Sequence, residues 1–270
     1  MSTASAPVEI GRVALTVRDI GAVAAFYETV IGLRPLASDG GLRRLGAGGR
    51  VLLELRADPA ARPADPRAAG LFHTAFLLPS RADLGAWLRH VAGARVPLQG
   101  ASDHLVSEAI YLADPEGNGI EVYVDRPRAD WPREGGRIRM ATEPLDLPAL
   151  ASAARTPWAG APEGTVVGHV HLQVGAVAAA EEFYSGRLGF DLVTHYPGAA
   201  FFSSGGYHHH LATNVWNSRG AGRRSEGAAG LAGVELLAGP EDHDRLAAAL
   251  AASGGTDPWG TPVSVAAKPA

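Results

Sequence analysis

Two stretches of the chain share the same order of apolar and polar positions. Each opens with a short alternating strand, at 13–17 and 170–174, and continues as an Ala-rich amphipathic helix followed by Gly and further strands. A single offset of 157 residues aligns the two stretches without a gap. The matched pairs are Leu15 and Leu172, Val17 and Val174, Phe26 and Phe183, Tyr27 and Tyr184, and Gly32 and Gly189. The chain therefore contains an internal repeat.

A second kind of unit follows the first copy and recurs in weaker form near the end of the chain. It begins with a strand and a helix at 70–91 and ends with a turn and an alternating strand at 114–124. Its start recurs faintly at an offset of 160 residues. Its turn recurs at an offset of 143, where Asp114, Pro115 and Gly117 match Asp257, Pro258 and Gly260. We predict four strand–helix–strand units, the last one shortened.

A stretch rich in Pro, Ala and Arg at 126–164 separates the second unit from the third. This composition is typical of a linker and of a domain boundary. We therefore predict an N-terminal pair of modules at 8–125, a linker at 126–164, and a C-terminal pair with the truncated module at 165–270.

Composition narrows the classes of function. Of 270 residues, 46% are hydrophobic and 19% charged, as expected for a globular protein. The 24 Lys and Arg do not outnumber the 28 Asp and Glu, so nothing favours nucleic acid or an anionic membrane as a partner. The absence of cysteine leaves His, Asp and Glu as the main candidate metal ligands. With no long apolar run and no signal-peptide pattern, we expect no membrane association and a cytoplasmic location.

Five of the ten histidines fall in two clusters of the third unit, at 168–171 and 207–210. Side chains alternate along a strand, so His169 and His171 share one face while apolar residues occupy the other. A polar face of this kind indicates a concave site rather than a core.

Two further polar residues, His73 and Glu121, lie on the otherwise apolar first and last strands of the second unit. A carboxylate buried there needs a cation or a proton. With His169 they form a set of two histidines and one carboxylate, which is typical of non-haem Fe(II) oxygenases. A single strand histidine is more often an ordinary polar residue, and a single Glu a solvated one. The metal-site hypothesis therefore depends on the three residues together.

The segment DPEGNGIEVY at 114–123 resembles the most recognisable motif of the vicinal oxygen chelate superfamily, which includes glyoxalases, bleomycin-resistance proteins and extradiol dioxygenases. From about Ile10 to Val265 the chain is most similar to dioxygenases of the catechol 2,3-dioxygenase kind. The resemblance implies an α+β fold of four tandem βαβββ modules, with the last module shortened. It also implies a non-haem iron enzyme.

The resemblance assigns roles to individual residues. The family's iron ligands correspond here to His73, Glu121 and His169. The segment 208–212, His-His-His-Leu-Ala, is similar to a family segment whose second histidine is the active-site acid/base, and this role falls on His209. A second segment, 103–111, implies that His104 lies near the substrate and that Tyr111 hydrogen-bonds a substrate oxygen.

One departure from the family concerns the order of the modules. In familiar members the His and Glu pair lies in module four, whereas here His73 and Glu121 lie in module two. If modules two and three pair, these residues can join His169. If modules pair in sequence order instead, Arg12 would lie near the pair and His169 would be isolated.

These observations favour an Fe(II)-dependent dioxygenase, with Mn(II) as an alternative metal, that cleaves a small aromatic diol with O2. His209 would accept a substrate proton near neutral pH, and His171 would orient ligands or substrate. Two alternatives stay open, a metal-dependent lyase or isomerase of glyoxalase type and a metal-free binding protein of bleomycin-resistance type. A homo-oligomer is compatible with paired modules that expose sheet edges, and the sequence leaves the oligomeric state open.

Overall fold

The computed structural model describes residues 2–269, which form two curled sheets, a two-stranded ribbon and a few helices. The strands of module one are β1 (Val8–Val17), β2 (Arg34–Asp39), β3 (Leu42–Ala47) and β4 (Arg50–Ala57). Those of module two are β5 (Gly70–Leu77), β6 (Gly100–Asp103), β7 (Ser107–Ala113) and β8 (Gly119–Asp125). The segment that follows contains β9 (Arg133–Glu134), β10 (Arg137–Ile138) and β11 (Glu143–Pro144).

The second half of the chain repeats the pattern. Module three contains β12 (Val166–Gln173), β13 (Asp191–Tyr196), β14 (Ala199–Ser203) and β15 (Leu211–Asn214), and module four contains β16 (Gly230–Ala238) and β17 (Val263–Ala267). The helices are α1 (Ile20–Phe26), α2 (Arg81–Gly93), α3 (Leu147–Ser152), α4 (Val177–Glu181) and α5 (Pro240–Ala252). Helices α1 and α4 each continue into a π-helical turn, and Arg128–Asp130 forms a 3₁₀ turn.

The predicted α+β fold of tandem βαβββ modules is confirmed. Modules one to three each have four strands around one helix, and module four has two strands around α5. The last module therefore lacks two strands, as its shorter repeat indicated. No helix in the described part of the chain is long and apolar enough to cross a membrane.

The sheets pair module two with module three and module one with module four, rather than one with two and three with four. The nine-stranded sheet has the order β11-β6-β7-β8-β5-β12-β15-β14-β13 and joins module two to module three through antiparallel β5 and β12. The six-stranded sheet has the order β17-β16-β1-β4-β3-β2 and joins module one to module four through antiparallel β1 and β16. Each sheet thus combines strands from both predicted segments, 8–125 and 165–270. The boundaries of these two segments stay a prediction.

The turn motif at Asp114 has a structural role between modules. Asp114 Oδ1 accepts hydrogen bonds from the backbone N–H groups of Glu116 and Asn118, both at 2.9 Å, which closes the turn before β8. The hydroxyl of Tyr27, from module one, lies 3.5 Å from Asp114 Oδ2. The repeat reproduces this contact, because the Tyr184 hydroxyl lies 3.1 Å from Oδ2 of Asp257. Buried tyrosine–aspartate pairs therefore connect module one to module two, and module three to module four.

The stretch at 126–164 packs against the modules rather than extending freely. Strand β11 pairs with β6, and α3 packs against α2. At their contact a Cβ on Gly85 would lie 2.4 Å from the carbonyl oxygen of Leu150, so the approach of the helices requires glycine. This packing places residues 140–142 against the cavity described below.

Candidate metal centre and active site

The three proposed metal ligands come from adjacent strands of the nine-stranded sheet. Strand β5 lies between β8 and β12, and Ala75 on β5 is in register with Glu121 on one side and His169 on the other. His73 lies two residues before Ala75, so its side chain is on the same face of the sheet. The small side chain of Ala75 leaves the space between the three larger side chains open. The pairing of modules two and three thus brings the three residues together.

The ligand atoms surround one small volume. His73 Nε2 lies 3.0 Å from Glu121 Oε2, and His169 Nε2 lies 3.2 Å from the same oxygen. The three ligand atoms all lie within 4.8 Å of one another. All three residues are buried, with exposures of 6% for His73, 3% for Glu121 and 2% for His169. Within residues 2–269, this is the group of His and Glu side chains whose donor atoms could hold a metal ion.

The donor set fits a divalent cation. His73 Nε2 is buried and lies 3.0 Å from Glu121 Oε2 without hydrogen-bond geometry, and it has no other partner among the described residues, so this nitrogen is available to a metal. Burial lowers the pKa of His169 to about 4 although Glu121 opposes the change, and the ring is neutral at pH 7. Burial raises the pKa of Glu121, but the contacts with His169 and His73 outweigh it and hold the pKa well below its ordinary value. A buried carboxylate beside the neutral His169 ring leaves a negative charge that a cation would balance.

A glycine behind His169 shapes this part of the site. The ring of Tyr123 packs 4.9 Å from the His169 ring, centroid to centroid. A Cβ on Gly168 would lie 1.9 Å from the Tyr123 hydroxyl oxygen. Glycine before His169 therefore leaves room for the Tyr123 hydroxyl, and the tyrosine ring can pack against the histidine ring.

The ligand set opens into a cavity of about 410 Å³, within the size range of small-molecule sites. The proposed residues Tyr111, His104 and His209 line this cavity together with His171. Apolar side chains form most of the remaining wall, and they include Phe72, Leu112, Ile120, Met140, Phe201 and Trp216. The cavity therefore suits a small ring held between apolar surfaces with polar groups on one side.

His209 lies beside the three proposed metal ligands. Its ring centroid is 4.1 Å from that of His169 and 5.0 Å from that of Phe201. Burial lowers the pKa of His209 well below its ordinary value, followed by the repulsion of His169, so the ring is neutral near pH 7. Its neighbour His210 faces elsewhere, because His210 Nε2 donates to the carbonyl of Ala4 at 2.9 Å.

Tyr111 and His104 form a hydrogen-bonded pair on the opposite wall. His104 Nδ1 donates to the carbonyl oxygen of Ala141 at 2.7 Å, so the other nitrogen accepts from the Tyr111 hydroxyl at 2.6 Å. Tyr111 is directly in register with Glu121 on the neighbouring strand. Burial, and then the charge of Glu121, raises the pKa of Tyr111 well above its ordinary value. The tyrosine is therefore a neutral hydroxyl close to the ligand set.

His171 occupies the apolar end of the cavity. Its Nε2 accepts from the Asn214 side-chain amide at 3.0 Å, and its ring packs 5.0 Å from Phe72 and 5.4 Å from Trp216. Burial lowers the pKa of His171 well below its ordinary value, so it is a neutral wall residue.

Several lining residues had no signal in the sequence. Phe72, Phe201 and Trp216 come from separate strands and loops, and Met140 lies in the predicted linker. Asp125 does not line the cavity, but it ends the alternation of Glu121, Tyr123 and Asp125 along one strand face. That period of two was visible in the sequence and would have indicated a third polar residue on the site face.

The fold consists of paired βαβββ modules, and a buried His–Glu–His group opens into its cavity. Together these features are typical of α+β proteins that hold a metal ion between two modules. The family model of the Glyoxalase/Bleomycin resistance protein/Dioxygenase superfamily matches residues 9–122 and 166–257 of the chain. The chain belongs to this superfamily, and the resemblance inferred from the motif at 114–123 is confirmed.

Comparison with individual proteins agrees with this assignment. A protein of Bacillus subtilis (strain 168) named Catechol-2,3-dioxygenase is 42% identical over 228 residues, which is 82% of this chain and 80% of that relative. A crystal structure of a candidate dioxygenase from Bacillus subtilis has a TM-score of 0.64 at 14% identity and covers 97% of this chain and 86% of its own. Glyoxalase I from Zea mays has a TM-score of 0.58 at 16% identity, over 95% of this chain and 91% of its own. The two structures show the shared fold.

Proposed function

We propose that the protein is an Fe(II)-dependent extradiol dioxygenase that cleaves a catechol-like ring with O2 beside its vicinal hydroxyls. The buried group of His73, Glu121 and His169 at the end of an aromatic-lined cavity carries this proposal. The 42% identity to a protein named Catechol-2,3-dioxygenase supports the same reaction class.

The residues His73, Glu121 and His169 would hold the iron. The chemistry that bound Fe(II) supplies is chelation of both substrate oxygens and electron transfer to O2. Because the three residues open into the cavity, a metal held by them would be accessible to a substrate there. Mn(II) is an alternative metal for the same nitrogen and oxygen donors.

The chain's own residues would bind and orient the diol. Phe72, Phe201 and Trp216 would hold the ring by apolar contact and exclude water from the reacting carbons. His209 would take the proton of the second hydroxyl at its unbonded Nε2, which forms an N–H bond as the substrate O–H bond breaks. The neutral hydroxyl of Tyr111 would lie beside the substrate oxygen nearest Glu121.

Substrate and O2 are the partners that this reaction requires. Assembly into a homo-oligomer and a cytoplasmic location stay predictions. So does the lyase or isomerase alternative, which would use the same metal without consuming O2.

The test begins with anaerobic loading of the purified protein with Fe(II). Catechols are added, air is admitted, and O2 uptake is recorded together with the absorbance of the ring-opened product. We expect coupled uptake and product formation in the unmodified protein and their loss in His73→Ala.

The matched control is His243→Ala. His243 lies on α5, outside the cavity, and contacts the side chain of Asp244. This control should retain activity. Uptake that survives in His73→Ala would contradict the proposed ligand set, and turnover without O2 uptake would favour the lyase or isomerase.

A further inference from the structure

A chain of three buried side chains runs from the cavity into the protein through His209. His209 Nδ1 lies 2.8 Å from His208 Nδ1, and His208 Nε2 lies 2.8 Å from Asp125 Oδ1. The exposure of the side chains is 1% for both His208 and Asp125, and His209 is 8% exposed. Asp125 ends strand β8, the strand that also carries Glu121.

Hydrogen-bonding rules determine where the protons lie along this chain. A carboxylate can only accept, so His208 Nε2 carries a proton and donates it to Asp125. When His208 carries this one proton only, its other nitrogen has a lone pair and accepts from His209 Nδ1. His209 must therefore have its lone pair on Nε2, the ring nitrogen without a hydrogen-bond partner in the described residues. That tautomer is the one a proton acceptor needs.

Aromatic packing keeps solvent away from these three side chains, so water cannot take the place of any of their hydrogen-bonding groups. The Tyr207 ring lies 4.0 Å from the His208 ring, and the Trp131 ring lies 5.2 Å from it. The N-terminal residues cover the far end, where the Thr3 hydroxyl donates to Asp125 Oδ2. Arg128 holds these residues in place through hydrogen bonds to the carbonyl oxygens of Thr3 and Ser5.

We propose that Asp125 and His208 are positioning residues that hold His209 with its Nε2 lone pair toward the cavity. The inference rests on the proposed function only in giving His209 a substrate proton to accept. When that proton reaches Nε2, the ring becomes positive, and its Nδ1–H still donates to His208. The Asp125 carboxylate, polarising His208 from the other side, stabilises this charge, as a carboxylate stabilises the imidazolium of a catalytic triad.

The test reads the tautomer directly by nitrogen NMR of the metal-free full-length protein labelled with ¹⁵N-histidine. The His209 signals are those absent from His209→Gln. We expect the unmodified protein to show a protonated Nδ1 and an unprotonated Nε2 at His209. A protonated Nε2 there would overturn the proposal, whether or not the protein is a dioxygenase.

Variants at position 208 separate tautomer control from packing. His208→Phe keeps a ring and removes the acceptor, so His209 should lose its single tautomer. His208→Asn places an amide oxygen near the position of Nδ1 and should preserve the unmodified pattern. The matched control His210→Phe removes a buried histidine that bonds Ala4 rather than His209, and it should also preserve the pattern. An unchanged His209 signal in His208→Phe would overturn the proposal.

Kinetics of the Fe(II)-loaded protein provide an independent readout. His208→Phe should lower kcat by about 100-fold and change KM by less than about threefold, because the base and not the binding surface is affected. His208→Asn should recover at least about tenfold of that loss. Equal kcat values in His208→Phe and His210→Phe would contradict the role of His208. Absence of ring cleavage in the unmodified protein would refute the proposed function and leave the NMR result unaffected.

Discussion

The two sheets place different chemistry at corresponding positions of the repeat. In the sheet of modules two and three, the positions are occupied by His169, His73 and Glu121. At the repeat offsets, the sheet of modules one and four has Arg12, Gly233 and Ser264 there. The first sheet has a buried carboxylate between two histidine side chains, whereas the second has no such donor set at the matching positions.

The second sheet balances its own buried carboxylate with arginines. Glu54, 3% exposed, accepts from Arg44 at 2.9 Å and lies 2.8 Å from Arg56 Nη2, and Arg12 lies 3.1 Å from Glu235. Burial raises the pKa of Glu54, but the hydrogen bonds from Arg44 and Arg56 outweigh it and leave the pKa below its ordinary value. One fold thus surrounds a buried carboxylate with arginines at Glu54 and with histidines at Glu121.

The largest expected effect is on metal binding, which should depend on Glu121 and not on Glu54. Glu121→Gln should weaken Fe(II) binding by at least about 100-fold, because it removes the only anionic donor of the predicted set. Iron content after anaerobic loading and desalting measures this change. Glu54→Gln is the matched control and should retain the metal. A loss of iron in Glu54→Gln would break the comparison.

Metal removal should destabilise the unmodified protein. Anaerobic Fe(II) at about 100 times its dissociation constant should add about 2.7 kcal/mol to the free energy of unfolding. For a chain of this length the corresponding rise in Tm is about 5–10 °C. Thermal unfolding with Fe(II) and with a chelator measures it. Glu121→Gln should show no such rise, and an equal rise in that variant would place the metal elsewhere.

Replacing Glu54, the carboxylate that is paired with arginines, should lower the free energy of unfolding by an amount that depends on pH. Glu54→Gln should lower the free energy of unfolding by about 1–3 kcal/mol at pH 7. The pKa of Glu54 is lowered on folding, so its contribution is complete above the unfolded value of about 4.3 and is lost as the pH falls through the folded value. Urea unfolding from pH 7 to pH 3 measures the difference, which should shrink below about pH 4. A difference that grows on acidification would contradict this sign.

The smallest effect concerns the two tyrosine–aspartate contacts between modules. Tyr184→Phe and Tyr27→Phe each remove a buried hydrogen bond, at about 0.5–1.5 kcal/mol. The contact of Tyr184 with Asp257 is shorter than that of Tyr27 with Asp114, 3.1 against 3.5 Å, so Tyr184→Phe should cost more. Chemical denaturation compares the two variants directly. A larger cost for Tyr27→Phe would show that the distance does not reflect the strength of the contact.

The residue types and the module pattern were readable from the chain. The 157-residue repeat and the turn residues from Asp114 predicted four modules, because strand alternation and helical spacing are local properties. The shortened last module followed from the same counting. His73, Glu121 and His169 were candidates because polar residues on apolar strands need partners.

Their arrangement was decided by strand pairing. Whether β5 joins β12 or another strand depends on which sheet edges meet over long sequence separations, and both orders of pairing agreed with the local pattern. The hydrogen bond between His208 and Asp125 likewise joins residues that are 83 positions apart in the sequence. The sequence alone determined the modules and the donors. Only the tertiary structure decided which donors meet, because backbone pairing between distant strands leaves no local periodicity to read.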